Sequence, residues 1–289
     1  MLVISNTKNA HTSNSVCGIG SFDGVHRGHQ KIVEHLRQIA GVRQKFGIIT
    51  FMPLPFFVLK HAPVCCLTPK EEKEQIFEKL GVDFIYYFDF SEEFARLSPE
   101  RFVDLVVHQI APATVVVGEN FHFGNMRQGS AQLLKTLAGN FFRVDIMSKV
   151  KDEGTISSTR IRELLLLGNI KAANRLLGRE YSISGTVVKG KGKGQQLGFP
   201  TINILPPEHK LIPLDGVYKV RVVIDNEKHL GAMFCRHDLL EVHIVNFSRD
   251  MYGNSVTTKF LGRLRGIEHF SDDQTLKSAI SADIEKVIK

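Results

Sequence analysis

The sequence predicts an α/β chain in two parts: a doubly wound parallel sheet over residues 1–180, then a small antiparallel β-barrel with a C-terminal helix over residues 181–289. Three observations carry this expectation. The length of 289 residues exceeds the roughly 100 to 200 residues of one ordinary domain. In the first part apolar strand-like runs alternate with amphipathic helical runs, the pattern of a parallel sheet covered on both faces. Beyond Tyr181 the texture changes to short alternating runs broken by glycine, proline and charged turns, the pattern of an antiparallel barrel or sandwich.

Taken in order, residues 16–20 read as a short buried strand. After a glycine-rich turn, residues 29–39 repeat apolar side chains at Ile32, Val33, Leu36 and Ile39, which is helical spacing. Residues 46–51, F-G-I-I-T-F, are the next strand, ended by a turn holding Pro53 and Pro55. A helix is predicted over 68–80, with Thr68 and Pro69 followed by Glu71 as its capping signal. A strand over 84–88, a helix over 98–107 opened by Ser98 and Pro99, and a β-branched strand over 114–118 continue the alternation. Residues 158–177 are helical with an interruption at Gly168, and Gly178 stops them. The domain boundary is placed at 178–182. Strands follow at 184–188, 217–224 and 241–247, and a helix over 272–288 closes the chain. Ligands of such a sheet belong at the carboxyl ends of its strands, where residues 20–29 and 118–124 emerge.

Composition narrows the function classes. Apolar content of 43% and charged content of 23% are those of a soluble globular protein. No apolar run reaches the ~18 residues of a membrane span, and the N-terminus lacks a basic segment followed by an apolar core. The expectation is therefore a cytoplasmic protein without a membrane partner. Cys17, Cys65, Cys66 and Cys235 have no C-x-x-C spacing, which argues against a disulfide framework or a zinc site. The net charge of +7 is spread along the chain, with no helix-turn-helix, basic arm or aromatic single-strand platform, so no nucleic-acid partner is expected. Small polyanionic substrates such as nucleoside triphosphates account for the basic excess, as does a plain solvated surface.

Two stretches carry chemistry. Residues 20–29 read G-S-F-D-G-V-H-R-G-H, where Gly20, Phe22, Asp23, Gly24 and Gly28 form a turn whose backbone comes close to a phosphate. His26 and His29, at i and i+3 entering a helix, can point at one spot, where donors can stabilise the extra charge on an α-phosphate under in-line attack. Two surface histidines on a tight turn are the plain alternative. Residues 155–162, T-I-S-S-T-R-I-R, bring Ser158, Thr159 and Arg162 to the mouth of a helix, which suits β- and γ-phosphates or simply caps the helix. In the second part Gly190, Gly192, Gly194 and Gly198 interleave with Lys189, Lys191 and Lys193. Such a loop wraps phosphates with its N–H groups, or serves as a flexible basic linker. The L-G-F-P-T-I-N that follows is something no linker requires.

H-x-G-H together with I-S-S-T-x-I-R resembles the nucleotidylyltransferase superfamily. The ten-residue form around Phe22, Asp23 and Gly24 is similar to the adenylyltransferase module of the prokaryotic bifunctional riboflavin kinase/FMN adenylyltransferase (FAD synthetase) family. T-F-x-P-x-P at 50–55, L-G-V-D-F at 80–84, L-S-P-E-x-F at 97–102 and V-V-G-E-N-F-H-F-G at 116–124 extend the likeness. The resemblance implies a Rossmann-like nucleotidylyltransferase domain over 1–180 that transfers AMP from ATP to FMN, giving FAD and pyrophosphate, with Mg²⁺ spreading the charge. By position His26 and His29 would hold the α-phosphate, Ser158, Thr159 and Arg162 the pyrophosphate, and Asn120 with Phe51, Pro53 and Pro55 the flavin. Two positions depart from the family: the turn is F-M-P-L-P where an aspartate commonly follows the phenylalanine, and Asn120 stands where an aspartate is often found.

The second part resembles the riboflavin kinase module of the same family, through G-F-P-T-x-N, D-G-V-Y at 215–218, E-V-H-I at 241–244, D-M-Y-G at 250–253 and L-R at 264–265. The resemblance implies phosphorylation of riboflavin by ATP over 181–289. Thr201 and Asn203 would meet ATP and Mg²⁺, Glu241 would be the general base, and Arg265 would contact the flavin. Between Gly231 and Glu241 the family usually carries a longer loop, where this chain has only A-M-F-C-R-H-D-L-L. Two alternatives stand beside the bifunctional enzyme: a FAD synthetase whose kinase-like domain is inactive because of the shortened 232–240 loop, and a flavin-responsive regulatory binding protein.

Overall fold

Runs of apolar, β-branched and aromatic residues at four places along the N-terminal part leave no polar face, so each must be covered on both sides. The computed structural model describes residues 1–5, 12–60, 65–148, 154–190, 192–237 and 239–289. It divides into two compact units, 1–157 and 158–289. The packing boundary thus falls before the helical stretch 158–177, whereas the change in sequence texture falls after it.

In the first unit, strands β1 (Leu2–Ser5), β2 (Val16–Ile19), β3 (Phe46–Met52), β4 (Phe84–Asp89), β5 (Thr114–Gly118) and β8 (Arg143–Met147) form one sheet in the order β1-β4-β3-β2-β5-β8. Every pairing is parallel. The helices are α1 (Arg27–Ala40), α2 (Pro55–Lys60), α3 (Lys70–Lys79), α4 (Glu92–Ala95), α5 (Pro99–Gln109) and α6 (Ala131–Ala138), and a small hairpin pairs β6 (His122–Phe123) with β7 (Gly129–Ser130). Two apolar clusters flank the sheet, one including Ile19, Phe51, Phe88 and Phe102, the other Phe22, Leu36, Ile48 and Phe77. The chain runs outward from β2 through β3 and β4, then returns to β5 on the other side of β2. That reversal makes a topological switch point between β2 and β5, where open α/β sheets bind ligands.

The second unit begins with α7 (Ser158–Leu166) and α8 (Ile170–Leu177), which ends at Gly178 in the left-handed conformation (φ 69°). Strands β9 (Ser182–Val188), β10 (Ile202–Leu205), β11 (Gly216–Ile224), β12 (Glu227–Arg236), β13 (Leu239–Ile244) and β14 (Ser255–Arg265) follow, with the one-turn α9 (Lys193–Gln196) and the closing α10 (Asp273–Ile288). They form a closed antiparallel barrel in the order β10-β13-β12-β11-β14-β9, of the two forms expected the barrel rather than the sandwich. Asp272 caps α10 by accepting from the Thr275 N–H at 2.8 Å.

Some local expectations change. Helix α3 starts at Lys70 with Pro69 at its N-cap and no side-chain cap, because the Thr68 hydroxyl is used elsewhere, accepting the Gly24 N–H at 2.9 Å. The strand expected at 241–247 lies at Leu239–Ile244, where the hairpin with β12 sets its register. The shortened 232–240 stretch is therefore mostly paired strand; Asp238 lies outside the described residues. Arg265, expected at the flavin, spends its guanidinium on the buried Asp283 of α10, at 2.9 Å from Nε and 2.8 Å from the terminal nitrogen.

Removing one member of a buried ion pair leaves the other charge uncompensated. Asp283→Ala should destabilise the barrel unit by about 3 kcal/mol, measured by urea unfolding with hydrogen exchange resolving the barrel amides.

Candidate active site

The turn joining β2 to α1 holds two bulky residues in the left-handed region, Phe22 (φ 49°) and Val25 (φ 37°). Such strain persists only where the surroundings over-determine it. Asp23 supplies much of that constraint. It is 2% exposed, and its carboxylate accepts the Leu67 N–H at 2.9 Å and the Thr68 N–H at 3.1 Å. Val25 N–H donates to the Phe22 carbonyl at 3.2 Å, and the Gln30 amide donates to the Val25 carbonyl at 2.8 Å. Asp23 and Gly24, expected at the phosphates, are thus buried behind the turn.

His26 is the N-cap of α1, its Nδ1 accepting the His29 N–H at 3.3 Å. An accepting Nδ1 assigns the ring proton of the neutral imidazole to Nε2, leaving that nitrogen as a donor. The two histidine rings stack at 3.6 Å between centroids with 16° between planes, and Phe22 meets His29 edge-on at 5.0 Å. A Cβ at Gly28 would lie 3.1 Å from the His26 ring, so the absence of a side chain there lets the imidazole fold back over the helix start.

A cavity of about 200 Å³ opens at this point. Its wall includes Ile19 at the end of β2, Gly118 at the end of β5 and Met147 at the end of β8, with Gly20, Phe22, His26, Gly28 and His29 on the turn side. It therefore sits at the switch point, facing the N-terminus of α1, where two histidines and backbone N–H groups favour anionic groups. Ile156 also lines it. Ser158, Thr159 and Arg162 lie at the start of α7 in the other unit. Ser158 and Arg162 share one helix face at i, i+4, while Ile161 and Leu165 are buried.

A second cavity, about 730 Å³, adjoins the first along Gly20, Asn120 and Phe121, which line both. Of the residues expected at the flavin, Phe51, Pro55 and Asn120 are on its wall, while Pro53 is exposed and does not line it. Composition and motif reading missed its aromatic character. Phe51 meets Phe90 at 5.6 Å and Phe94 at 6.0 Å, Phe102 meets Phe123 at 5.1 Å, and Phe121 stacks on Phe123. The usable signal was the clustering of phenylalanines at 88–94 and 121–123. Such a wall suits a flat aromatic ligand. Cys17 lies behind it, and burial pushes its thiol up to about 12, which removes it as a nucleophile near neutral pH.

In the barrel, Asn203 and Glu241 are direct cross-strand partners on β10 and β13. Their neighbours Ile204, Leu240 and Val242 are buried in the barrel interior, so alternation puts Asn203 and Glu241 together on the outer face. Asn203 is nevertheless only 9% exposed, because the glycine loop covers it: a Cβ at Gly190 would stand 2.0 Å from its amide nitrogen, and one at Gly194 would be 3.1 Å from the Thr201 hydroxyl. Gly192 (φ 72°) and Gly198 (φ 88°) flank α9; Lys191 lies outside the described residues. His243 ties this face to the G-F-P-T segment through the Pro200 carbonyl at 2.9 Å. A hydroxyl and an amide under a glycine loop, with a carboxylate on the neighbouring strand, can hold a polyphosphate and accept a proton. Among the described residues no group of three or more His, Cys, Asp or Glu side chains is placed to hold a metal ion.

Comparison with known proteins gives two family matches, FAD synthetase over residues 8–160 and riboflavin kinase over residues 177–289. A bifunctional riboflavin kinase/FMN adenylyltransferase of Listeria monocytogenes is 35% identical over 93% of this chain and 90% of its own length. Proteins of the same name are 37% identical in Buchnera aphidicola from Schizaphis graminum, over 96% of this chain and 94% of theirs, and 33% in Escherichia coli K12, over 97% and 94%. A crystal structure of a macrolide-efflux protein from Streptococcus pneumoniae superposes with a TM-score of 0.91 at 30% identity, covering 100% of this chain and 99% of that one.

The fit of the glycine loop over Asn203 is directly testable. Gly190→Ala should leave the barrel folded and weaken ATP binding to it by about tenfold or more, since the added methyl displaces the loop; calorimetric titration of the two proteins with ATP checks this.

Proposed function

The chain belongs to the family of bifunctional riboflavin kinases/FMN adenylyltransferases, and from that premise we infer how its two sites divide the chemistry. The enzyme phosphorylates riboflavin to FMN with ATP and then transfers AMP from a second ATP to FMN, giving FAD and pyrophosphate. We assign adenylyl transfer to 1–180 and phosphorylation to 181–289. The observation that carries the assignment is the stacked His26–His29 pair at the sheet's switch point, beside an aromatic cavity.

In adenylyl transfer an oxygen of the FMN phosphate attacks the α-phosphorus of ATP, and the bond to the β-phosphate bridging oxygen breaks. No covalent enzyme intermediate is needed, so the protein positions the reactants and stabilises charge. His26 and His29, with the amide donors of the turn, would bind the α-phosphate. Gly20, Phe22 and Gly28 shape that pocket, and Asp23 and Gly24 brace it from behind. Ser158, Thr159 and Arg162 would take the leaving pyrophosphate. Phe51, Pro55 and Asn120 would contact the flavin, with Pro53 holding the turn between them.

In the barrel, Glu241 would take the proton from the riboflavin 5′-hydroxyl as its oxygen attacks the γ-phosphorus and ADP departs. Gly190, Lys191, Gly192, Gly194 and Gly198 would wrap the triphosphate. Thr201 and Asn203 offer the oxygen donors that Mg²⁺ takes, and the ion would offset phosphate charge there. The register that sets Glu241 opposite Asn203 is intact despite the shortened hairpin, which supports a working kinase. Arg265 would serve the site by anchoring α10, its guanidinium being engaged by Asp283. The efflux designation of the Streptococcus pneumoniae structure is not carried over: among the described residues no helix is long and apolar enough to cross a membrane. Cys17 and Cys235 are free thiols, which suits a cytoplasmic setting.

Incubation with riboflavin, ATP and Mg²⁺ should yield FMN and then FAD, resolved by chromatography. FAD from supplied FMN but no FMN from riboflavin would overturn the kinase assignment. His29→Ala should abolish FAD formation and leave riboflavin phosphorylation intact. Glu241→Gln should slow FMN formation by about 10²- to 10⁴-fold while FMN is still converted to FAD.

A further inference from the structure

Lys73, on α3, is 1% exposed, and lysine is almost never fully buried without a specific partner. A methionine or leucine would fill the same space without desolvating a cation. The ammonium donates to the Ser21 carbonyl at 3.0 Å, which also accepts from the Thr50 hydroxyl at 3.3 Å. Ser21 lies between Gly20, which lines both N-terminal cavities, and the strained Phe22.

We infer that Lys73 is a positioning residue for adenylyl transfer: its buried ammonium, bonded to the Ser21 carbonyl, fixes the turn in the conformation that stacks His26 on His29. This rests on assigning adenylyl transfer to the N-terminal site. Asp23 ties the turn to Leu67 and Thr68 through its carboxylate, and Lys73 ties it to α3 through a backbone carbonyl. The two ties join the turn to one short segment, residues 67–73, through side chains of opposite charge, Asp23 and Lys73. A neutral side chain at 73 would leave Ser21 without its charge-assisted donor, and the left-handed residues beyond it would relax.

The charged and titratable groups facing Lys73 are Asp23 from the turn, Cys66 from the segment ahead of α3, and Glu74 from its own helix. Burial lowers the ammonium from 10.5 to about 8, with these three groups pulling it back upward. Below that value the group is charged in folded and unfolded chains alike. Between about 8 and 10.5 the unfolded chain binds a proton that the folded one has lost, so stability rises with pH across the window. Adenylyl transfer should move the opposite way, because the donor to Ser21 loses its charge.

FAD formation from FMN and ATP by the unaltered protein at pH 7 is measured first, and tests the adenylyltransferase assignment by itself. Lys73→Met should then lower kcat for FAD formation by about 10- to 100-fold, with KM for FMN and ATP within about twofold and riboflavin phosphorylation unchanged. In the unaltered protein kcat should fall above pH about 8 while the urea midpoint rises; in Lys73→Met that alkaline fall should be absent. A folded Lys73→Met with full kcat would overturn the proposal. If Lys73→Met does not fold, the unaltered protein decides: activity that holds level while stability rises would equally overturn it.

Discussion

The interaction on which the N-terminal site depends is the bond between the Asp23 carboxylate and the backbone of Leu67 and Thr68. Two left-handed, bulky residues flank that aspartate, and neither is stable there by its own preference. A buried carboxylate must have its acceptors satisfied, and the bonds to Leu67 and Thr68 that satisfy it hold the chain in this turn. His26 then arrives at the N-cap of α1, and its ring is set by the backbone it caps. Charge buried for structural reasons thus determines where a pair of imidazoles points.

The barrel reaches a comparable result by other means. Strand register alone places Asn203 beside Glu241, and the loop can lie on Asn203 because Gly190 has no side chain there. Backbone hydrogen bonds along the ladders provide the alignment that buried ionic contacts provide in the first unit. The difference follows from layer architecture: a parallel sheet collects its site from loops that need bracing, whereas neighbouring barrel strands carry site residues on rigid backbone.

What could be read from the sequence follows the range of the signals. His26, His29 and the glycine loop lie in contiguous stretches, so they could be singled out as candidates directly. The alternating strands and helices of 16–118 were also legible because each is set by local periodicity. The partners of Asp23 lie 44 and 45 positions away, so its role as a brace had no local mark. The aromatic cavity was likewise hidden, since Phe51, Phe90, Phe94 and Phe123 come from different segments brought together only by the sheet. Strands β12 and β14 contain glycine and several charged residues, and pairing in the closed barrel overrides their weak intrinsic preference. Arg265 could be placed near the kinase site from its motif, but Asp283 as its partner required α10 to be folded back on the barrel.

The common wall formed by Gly20, Asn120 and Phe121 between the two N-terminal cavities bears on the order of events. With the adenylyl donor in the smaller cavity and the flavin in the larger one, as proposed above, the two reactants would have separate chambers that meet at this seam, and neither would have to vacate the protein before the other enters. Turnover through such a site would be a ternary encounter, with both reactants resident at once, rather than a relay in which the protein carries a group between visits. The seam is lined by a glycine, an amide and a phenyl ring, in keeping with the attack by the flavin's own phosphate proposed above.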